Sequence, residues 1–575
     1  MDRKTINRRV VAIGLALLFV AARLEAGSVT VAWDPNPETN IAGYTVYWGT
    51  QSGVYTSSRA VTGGATSLTI TSLTDGRTYY FVVQAYNNAG LRSDYSLEVS
   101  AYIGTNPLSA QAWMQKFGVT DMNADDDRDG VTNQQEYDGQ TDPTLPNTWY
   151  LTEGSTTIFR ERLAILNPGT DPAEITVTFL PESGTPVYRD YSVPAQSRIT
   201  VDVQTIPGLS GVSHSAMVTS RRGGVVVERT MFWSATGGAP TSGHTGKGVS
   251  TPQTRWYFAE GDAGVFDTYL LFANPNSSAA TISITYLLDD GRTLSGSYTA
   301  NATSRVTVYT NDVPGLSGHS FSAVVNASAP VTAERAMYLT ASGQLWRVGT
   351  AVGGIEAPSS TWYVSEGATG PFFDEYFLIG NPNHSASSVT IRFLKSSGSP
   401  IVQTYTVPAQ SRMTLYIDDI PGLQDTSVSA SVTASLPVVV ERAMYWPGNW
   451  STWYEGHASA AVAQAGTKWA LAEGEVGGSA SFMSYILIAN PSGQDANVRV
   501  TLLRANGAPP SVSSYTVAAN ARLTLYQFPL TSGEKFGAVV ESTNGIPVVV
   551  ERSMYWNANG LYWSGGTNET GVRLR

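Results

Sequence analysis

The sequence predicts an all-β protein built from several sandwich domains in tandem. The chain has 575 residues, which is too long for a single hydrophobic core. Short runs of alternating hydrophobic and polar residues are separated by turn residues along most of its length. Charged residues make up only 14% of the chain and aromatic residues 10%, a balance typical of strands and tight turns rather than long solvated helices.

Residues 1–26 have the pattern of a signal peptide. Basic residues at the start are followed by the apolar run Val10–Ala22 and then by small-residue cleavage chemistry at Ala26. The run is short for a bilayer span, so we expect cleavage rather than anchoring. No later segment approaches 18 uninterrupted apolar residues. The mature chain is therefore expected to be secreted, extracellular or at the cell surface, without a membrane span.

Charge and cysteine content exclude some functions. The formal net charge is −11 and no basic stripe is present, which argues against a nucleic-acid partner. The chain has no cysteine, so it can form no disulfide and cannot use a catalytic thiol.

Residues 27–103 form the first predicted domain, a sandwich of about seven short strands. Trp33, the step Gly43-Tyr44 and the spacing Leu73-x-x-Gly76-x-x-Tyr79 resemble the buried tryptophan, third strand and tyrosine corner of a fibronectin type III domain. The resemblance covers the whole segment and implies a spacer or binding role without naming a ligand.

Residues 104–147 form a predicted calcium-binding linker with a short helix over 108–117. The run from Asp125 to Glu136 fits the twelve-residue pattern D-x-D-x-D-G-x5-E. Acidic side chains at alternate positions turn their oxygens inward, Gly130 permits the sharp turn, and Ca²⁺ prefers six to eight such oxygens. The predicted ligands are Asp125, Asp127, Asp129, the Val131 carbonyl, Asn133 and Glu136.

This loop resembles those of EF-hand, dockerin and thrombospondin type 3 proteins. Dockerins carry two such loops and this chain carries one, which argues against docking to a cohesin. Asp121 and Asn123 extend the same alternation upstream and are candidates for a second, weaker ion site. The alternative interpretation is a solvated acidic linker, in which the clustered aspartates would repel one another.

Four repeats follow, with landmarks that recur every 106 to 110 residues. Each opens with a motif such as Trp149-Tyr-x-x-Glu-Gly, continues through an Asn-Pro step and a strand-ending Arg, and closes on Glu-Arg-x-Met. We expect each to be one β-sandwich, immunoglobulin-like or jelly-roll, and the motif resembles repeats of unknown role in bacterial exported proteins. Repeats 1 to 4 are residues 148–254, 255–360, 361–467 and 468–575.

The repeated Glu and Arg landmarks favour a structural role over an active site. A Glu in a Val-rich strand, such as Glu228, is expected to pair with a strand-ending Arg, such as Arg198, in each repeat. The opening tryptophans are expected in cores or domain junctions, and the alternative is that the recurring tryptophans and tyrosines form sugar-stacking platforms. Trp450 and Trp453 lie in a less regular stretch and are the candidates for exposed contacts.

The sequence contains no G-x-S-x-G, H-E-x-x-H or P-loop motif, so a non-catalytic role is favoured. The preferred hypothesis is adhesion or multivalent scaffolding on an extracellular glycan or a surface or matrix protein, with the four sandwiches arranged as a rod. The alternative is a carbohydrate-binding accessory protein of polysaccharide degradation. An enzyme with a site hidden in the repeats ranks last.

Overall fold

The computed structural model describes most of the chain. The predicted signal peptide lies outside the described residues, and every helix within them is too short or too polar to cross a membrane. The described ranges are 27–36, 40–74, 77–96, 98–103, 108–182, 184–234, 240–341, 343–448, 452–505 and 507–574.

The first domain is a sandwich of a two-stranded and a four-stranded antiparallel sheet. Trp33 is buried in its core, and the Tyr79 hydroxyl accepts a hydrogen bond from the Thr74 amide at 3.0 Å, as expected for a tyrosine corner. Gly76 of that motif lies outside the described residues. The sheets are β1-β4 and β3-β2-β5-β6, formed by β1 Val29–Ala32, β2 Ile41–Gly49, β3 Ser57–Thr62, β4 Ser67–Ile70, β5 Arg77–Asn87 and β6 Val99–Ile103.

Two short helices occupy the linker. Helix α1 (Ala110–Phe117) is capped by the Ser109 hydroxyl and ends at Gly118, which has a left-handed backbone. It buries Trp113 against Tyr137 of helix α2 (Asn133–Gly139). The predicted helix is thus confirmed over Ala110–Phe117, two residues shorter at its start than predicted, and the acidic loop connects the two helices.

Repeat 1 folds into two packed antiparallel sheets of four strands each. One sheet, which we call the outer sheet, has the order β10-β9-β12-β7. The other, which we call the inner sheet because it contacts the neighbouring repeats, has the order β11-β8-β13-β14. Because the first two strands lie in different sheets, the order differs from the immunoglobulin arrangement. The strands are β7 Thr148–Leu151, β8 Arg160–Asn167, β9 Ala173–Pro181, β10 Val187–Val193, β11 Ser197–Asp202, β12 His214–Arg222, β13 Val226–Trp233 and β14 Ser242–Lys247.

Repeats 2 and 3 follow the same plan, except that one long strand crosses from the outer to the inner sheet. Repeat 2 contains β15 Gln253–Phe258, β16 Asp267–Asn274, β17 Ala280–Leu288, β18 Thr293–Ala300, β19 Ser304–Tyr309, β20 Phe321–Ala341 and β21 Gln344–Gly353. Repeat 3 contains β22 Ser359–Val364, β23 Asp374–Asn381, β24 Ser387–Leu394, β25 Ile401–Val407, β26 Ser411–Tyr416, β27 Ser429–Trp446 and β28 Glu455–Ala460.

Repeat 4 closes the chain with the same two sheets. Its strands are β29 Lys468–Leu471, β30 Glu475–Val476, β31 Met483–Asn490, β32 Ala496–Arg504, β33 Ser511–Val517, β34 Ala521–Leu525, β35 Glu534–Ser542, β36 Val549–Ala558, β37 Leu561–Thr570 and β38 Val572–Arg573. Short 3-10 helices in repeats 1 to 3 cover Val203–Thr205, Thr310–Asp312 and Ile417–Asp419.

The opening tryptophans lie in the cores, as predicted. Each indole is buried and its Nε1–H donates, at 2.7–2.9 Å, to a backbone carbonyl on the strand that enters the inner sheet or directly before it. A buried indole needs such a partner, so the motif fixes the first strand against the sandwich. The donors are Trp149, Trp256, Trp362 and Trp469, and the acceptors are Val225, Val331, Val438 and Val548.

The four repeats form a closed ring, so the prediction of a rod is wrong. The last inner-sheet strand of each repeat contacts that of the next, in the cycle β14, β21, β28, β37 and back to β14. Repeat 4 therefore packs on repeat 1, although the two are far apart in sequence. A head-to-tail contact closes into a ring when its rotation divides a full turn, which here takes four copies.

Two buried ionisable side chains bridge the inner strands of this cycle. Arg347 of repeat 2 donates to the carbonyls of Thr241 in repeat 1 and Ser564 in repeat 4, at 2.8 and 3.3 Å. Glu455 of repeat 3 accepts from the amides of Gly243, Gly349 and its neighbour Gly456 at 3.0–3.4 Å. Both side chains are buried, and their hydrogen bonds together link all four repeats.

The ring makes a prediction about solution size. A compact chain of about this length has a radius of gyration near 24 Å, and four sandwiches in a rod would give a distinctly larger value. We expect small-angle X-ray scattering of the full chain to give a radius of gyration below about 30 Å. A scattering curve with the cross-section signature of a rod would contradict the ring.

Candidate functional site

The acidic loop is shaped by local backbone and capping interactions. Gly130 has φ +93° and Arg128 φ +64°, so both residues have the positive φ that tight turns of the backbone use. Thr132 then caps helix α2 in a reciprocal capping box with Gln135. The loop is therefore held at its C-terminal end by a helix whose first turn carries Glu136.

Three of the predicted ligands converge. One carboxylate oxygen from each of Asp125, Asp127 and Asp129 lies within 4.8 Å of the other two. The Gly130 amide donates to Asp125 Oδ2 at 2.9 Å, and the Val131 amide donates to Asp129 Oδ1 at 2.8 Å. These backbone donors orient the carboxylates toward one side of the loop, as the alternating spacing predicts.

The other predicted side-chain ligands, Asn133 and Glu136, are fully buried beside this group. Asn133 donates through Nδ2 to the Asp121 carbonyl at 2.6 Å, which leaves its Oδ1 free of hydrogen bonds among the described residues. Glu136 Oε2 and Asp127 Oδ2 also lack a partner there. Three buried oxygen atoms without donors are costly unless a cation or a proton satisfies them.

The electrostatics of the loop indicate the same need. Burial and the neighbouring Asp129 raise the pKa of Asp127 to about 8. Burial, Asp127 and Asp129 raise the pKa of Glu136 to about 10. Both carboxylates are disfavoured in their charged form when no positive charge is present. A divalent cation would supply that charge, and carboxylate and amide oxygens are the donors that Ca²⁺ takes.

The loop is also joined to the first strand of repeat 1. The Asn147 amide donates to Asp129 Oδ2 at 2.6 Å, and its side-chain Nδ2 donates to Glu136 Oε1 at 3.3 Å. Asn147 directly precedes β7. The sequence motif gave no indication of Asn147, because its position becomes apparent only when the linker folds back onto the loop.

The repeated carboxylates lie at the junctions between repeats. Glu334 of repeat 2 accepts from the Arg229 guanidinium of repeat 1 at 2.7 Å and from the Glu153 amide at 2.8 Å. The same Arg–Glu relation recurs around the ring, and all eight side chains are buried. The pairs are Arg229–Glu334, Arg335–Glu441, Arg442–Glu551 and Arg552–Glu228, the third with a longer separation of 3.6 Å.

The strand-ending arginines have different partners from those predicted. Arg412 of repeat 3 donates to the carbonyls of Gly261 and Phe321 in repeat 2 at 2.8 and 3.3 Å. Its counterparts Arg198, Arg305 and Arg522 likewise donate to carbonyls of the preceding repeat. The predicted pairing of Glu228 with Arg198 inside one repeat is thus wrong, because both side chains reach across a junction.

These contacts explain the carboxylates without catalysis. Glu260 is bound by Arg335 at 2.7 Å and faces the Tyr445 hydroxyl at 3.3 Å. Burial raises the pKa of Glu260, while Arg335 opposes that shift. Since the carboxylate is buried between two repeats and already paired, its geometry fits a structural role.

The two tryptophans predicted to make exposed contacts, Trp450 and Trp453, have different outcomes. Trp453 is buried and stacked on Tyr445 at 4.3 Å between ring centroids, so its predicted exposure is wrong. Trp450 lies outside the described residues. Tyr562, which sequence reasoning missed, is 54% exposed and stacks on Trp563 at 4.8 Å. The apolar run around it gave no indication of which ring would face solvent.

Sandwich modules, a calcium-type loop and a ring of repeats define a modular all-β protein. Residues 18–102 match the fibronectin type III domain family. The comparison with curated proteins gave no match.

Several solved structures are similar to parts of the chain, each over less than a fifth of its length. The structure of Thermotoga maritima 1070 has 16% identity and a TM-score of 0.17, covering 19% of this chain and 96% of its own. An Fn3-like protein from Clostridium thermocellum has 24% identity and a TM-score of 0.14, covering 16% and 91%. The Anabaena sensory rhodopsin transducer has 24% identity and a TM-score of 0.14, covering 14% and 92%.

The junction pairs make a stability prediction. Arg335→Ala leaves Glu441 and Glu260 buried without their guanidinium, so we expect a loss on the order of 3–5 kcal/mol in unfolding free energy. Arg499→Ala, which removes an exposed pair with Glu541, serves as the control and should cost less than about 1 kcal/mol. Chemical denaturation measures both. Equal stability of the two variants would contradict a structural role for the junction pair.

Proposed function

We propose that this protein is a non-catalytic, secreted or cell-surface scaffold that binds calcium and holds a surface or matrix partner. A fibronectin type III domain supports a modular, non-enzymatic binding or scaffolding role. The further steps, calcium binding and export, rest on the acidic loop and on the pattern of residues 1–26.

The observation that carries the calcium proposal is the set of buried, unpartnered oxygens in the loop. Asp127 Oδ2, Asn133 Oδ1 and Glu136 Oε2 lack donors among the described residues, beside the converging group of three aspartates. A solvated acidic linker would expose such groups to water instead. Asp125, Asp127, Asp129, Asn133, Glu136 and the Val131 carbonyl would hold the ion, which would neutralise their mutual repulsion.

The scaffold role is supported by how the first domain meets the ring. The Arg221 guanidinium of repeat 1 lies over the Tyr80 ring at 5.1 Å and donates to the Tyr80 hydroxyl. Arg221 also lies 3.5 Å from Asp190 of its own repeat. The fibronectin-like domain is therefore seated on one repeat of the ring, which would present its remaining surface to a partner.

The calcium proposal predicts a measurable affinity. A single extracellular-type loop binds with a dissociation constant of about 10⁻⁴ to 10⁻³ M. Glu136→Gln removes the bidentate carboxylate, so we expect calcium affinity to fall at least about tenfold by isothermal titration calorimetry.

Asp126→Asn is the matched control, because it removes one charge from a loop position that does not ligate the ion. We expect this variant to keep most of the parent affinity. Titration of the parent chain without heat or thermal shift at millimolar calcium would refute the site.

A second candidate function, binding of a saccharide, is favoured by one exposed aromatic corner. Tyr562 caps a stack that continues through Trp563 to Tyr555, with centroid separations of 4.8 and 4.4 Å. Phe372 of repeat 3 approaches Trp563 at 5.8 Å. Aromatic rings with an apolar face and a polar edge are well suited to an amphipathic ligand such as a sugar ring.

This candidate predicts loss of glycan binding on removal of one ring. If Tyr562 stacks on a sugar, Tyr562→Ala should weaken binding about tenfold on a glycan array. Leu345→Ala is the control, because Leu345 occupies the matching hairpin position in repeat 2 and is 63% exposed. Equal binding by both variants and the parent would exclude this corner.

A further inference from the structure

One of the four junctions in the ring is built differently from the others. Repeats 1 and 2, 2 and 3, and 3 and 4 are joined by the chain itself, whereas repeats 4 and 1 meet only through non-covalent contacts. We call this the closing junction. It contains the Arg552–Glu228 pair at 2.7 Å and a hydrogen bond from the Ala472 amide to Glu228 Oε1, also at 2.7 Å.

The calcium linker inserts a side chain into the closing junction. Leu145 is only 1% exposed and packs in an apolar cluster shared by both repeats. Ala164, Leu166 and Val226 come from repeat 1, whereas Ala470, Ala472, Leu503 and Leu574 come from repeat 4. Burial of a leucine side chain away from water is favourable, so Leu145 stabilises the contact between the two repeats.

The segment around Leu145 is held tightly on repeat 1. The Gly223 amide donates to the Gln140 carbonyl at 2.9 Å, and the Ser220 amide donates to the Asn147 carbonyl at 2.7 Å. At Gly224, an added Cβ would lie 2.9 Å from Leu145 Cβ, which shows how closely the backbones approach. A side chain at this glycine would displace the linker from the junction.

Both ends of the segment 140–147 are attached to the calcium loop, one by chain connection and the other by hydrogen bonds. Glu136 lies just before it, and Asn147 at its far end donates to Glu136 and Asp129. The Thr251 hydroxyl of repeat 1 donates to the Arg128 carbonyl in the loop at 3.2 Å. The loop geometry therefore sets where residues 140–147, and with them Leu145, can lie.

We propose that calcium in the loop of residues 125–136 stabilises the closing junction between repeats 4 and 1, and that the ring loosens selectively there when calcium is withdrawn. The inference rests on the proposed calcium site. Without the ion, the loop loses the cation that would join its ligands, and Asn147, which donates to two of them, and the neighbouring Leu145 lose their support. In the described part of the chain, the hydrophobic clusters at the other three junctions contain no linker residue, and those repeats keep their covalent connection.

Four backbone amides provide a built-in readout, one at each junction. The Ala472 amide donates to Glu228 across the closing junction, and the Ala259 amide donates in the same way to Glu441 across the junction of repeats 2 and 3. The hydrogen-exchange rate of the Ala472 amide reports on the closing junction, which we propose depends on calcium. The rate of the Ala259 amide reports on a junction that we propose does not. At the remaining junctions the donors are Ser365, at the same motif position, and Glu153, one position later in its motif.

The experiment is hydrogen-exchange mass spectrometry on the full chain, with about 5 mM calcium or with a chelator, a concentration set by the affinity of such loops. On chelation we expect exchange at the Ala472 segment to accelerate about tenfold or more while the Ala259 segment is unchanged. Leu145→Ala leaves every predicted ligand in place. It should bind calcium as the parent does, yet show fast exchange at Ala472 even with calcium present.

Lys116→Ala is the control, because it removes an exposed ion pair between the linker and Asp171 without touching the junction. Calorimetry on the same samples separates the two proposals. If calcium binds and exchange at Ala472 and Ala259 changes equally or not at all, the closing-junction inference is overturned while the calcium site stands. If no calcium binds, the proposed function itself fails.

Discussion

The buried arginine–glutamate pair across each junction is the interaction on which the ring depends. Removing two charges from water is costly, and the pair is tolerated because further donors complete each carboxylate. At Glu334 these are the Arg229 guanidinium and the Glu153 amide. Such a pair adds little when compared with apolar packing, but it penalises every arrangement that leaves one member buried alone. The pairs therefore specify how the repeats meet.

The Glu-Arg step within each repeat explains the head-to-tail order. Successive residues of a strand point to opposite faces, so Glu334 is directed at repeat 1 while Arg335 is directed at repeat 3. Each repeat thus offers an acid to the repeat before it and a base to the repeat after it. This signal is present in the sequence, and four identical steps could have indicated a cyclic contact.

Much of the fold followed from pattern alone, because strand alternation, tryptophan landmarks and a constant period depend on local chemistry. The ring did not, since closure depends on an angle between domains that no periodicity records. The same division holds at the loop. Spacing predicted Asp125, Asp127 and Asp129 together, and the structure groups them. Asn147 and Leu145 escaped prediction because their roles arise from tertiary contacts with repeats 1 and 4.

A closed ring also restricts how this protein can evolve. Tandem copies in a gene readily gain or lose a unit by unequal recombination, and a linear array survives such changes with only a shorter or longer reach. Here a fifth unit would have no place beside Arg347 and Glu455, whose contacts already use all four repeats. Loss of one unit would open the ring and expose to water one glutamate and one arginine that are now buried and paired. Copy number is therefore fixed by geometry, and divergence must proceed within the units rather than by adding them.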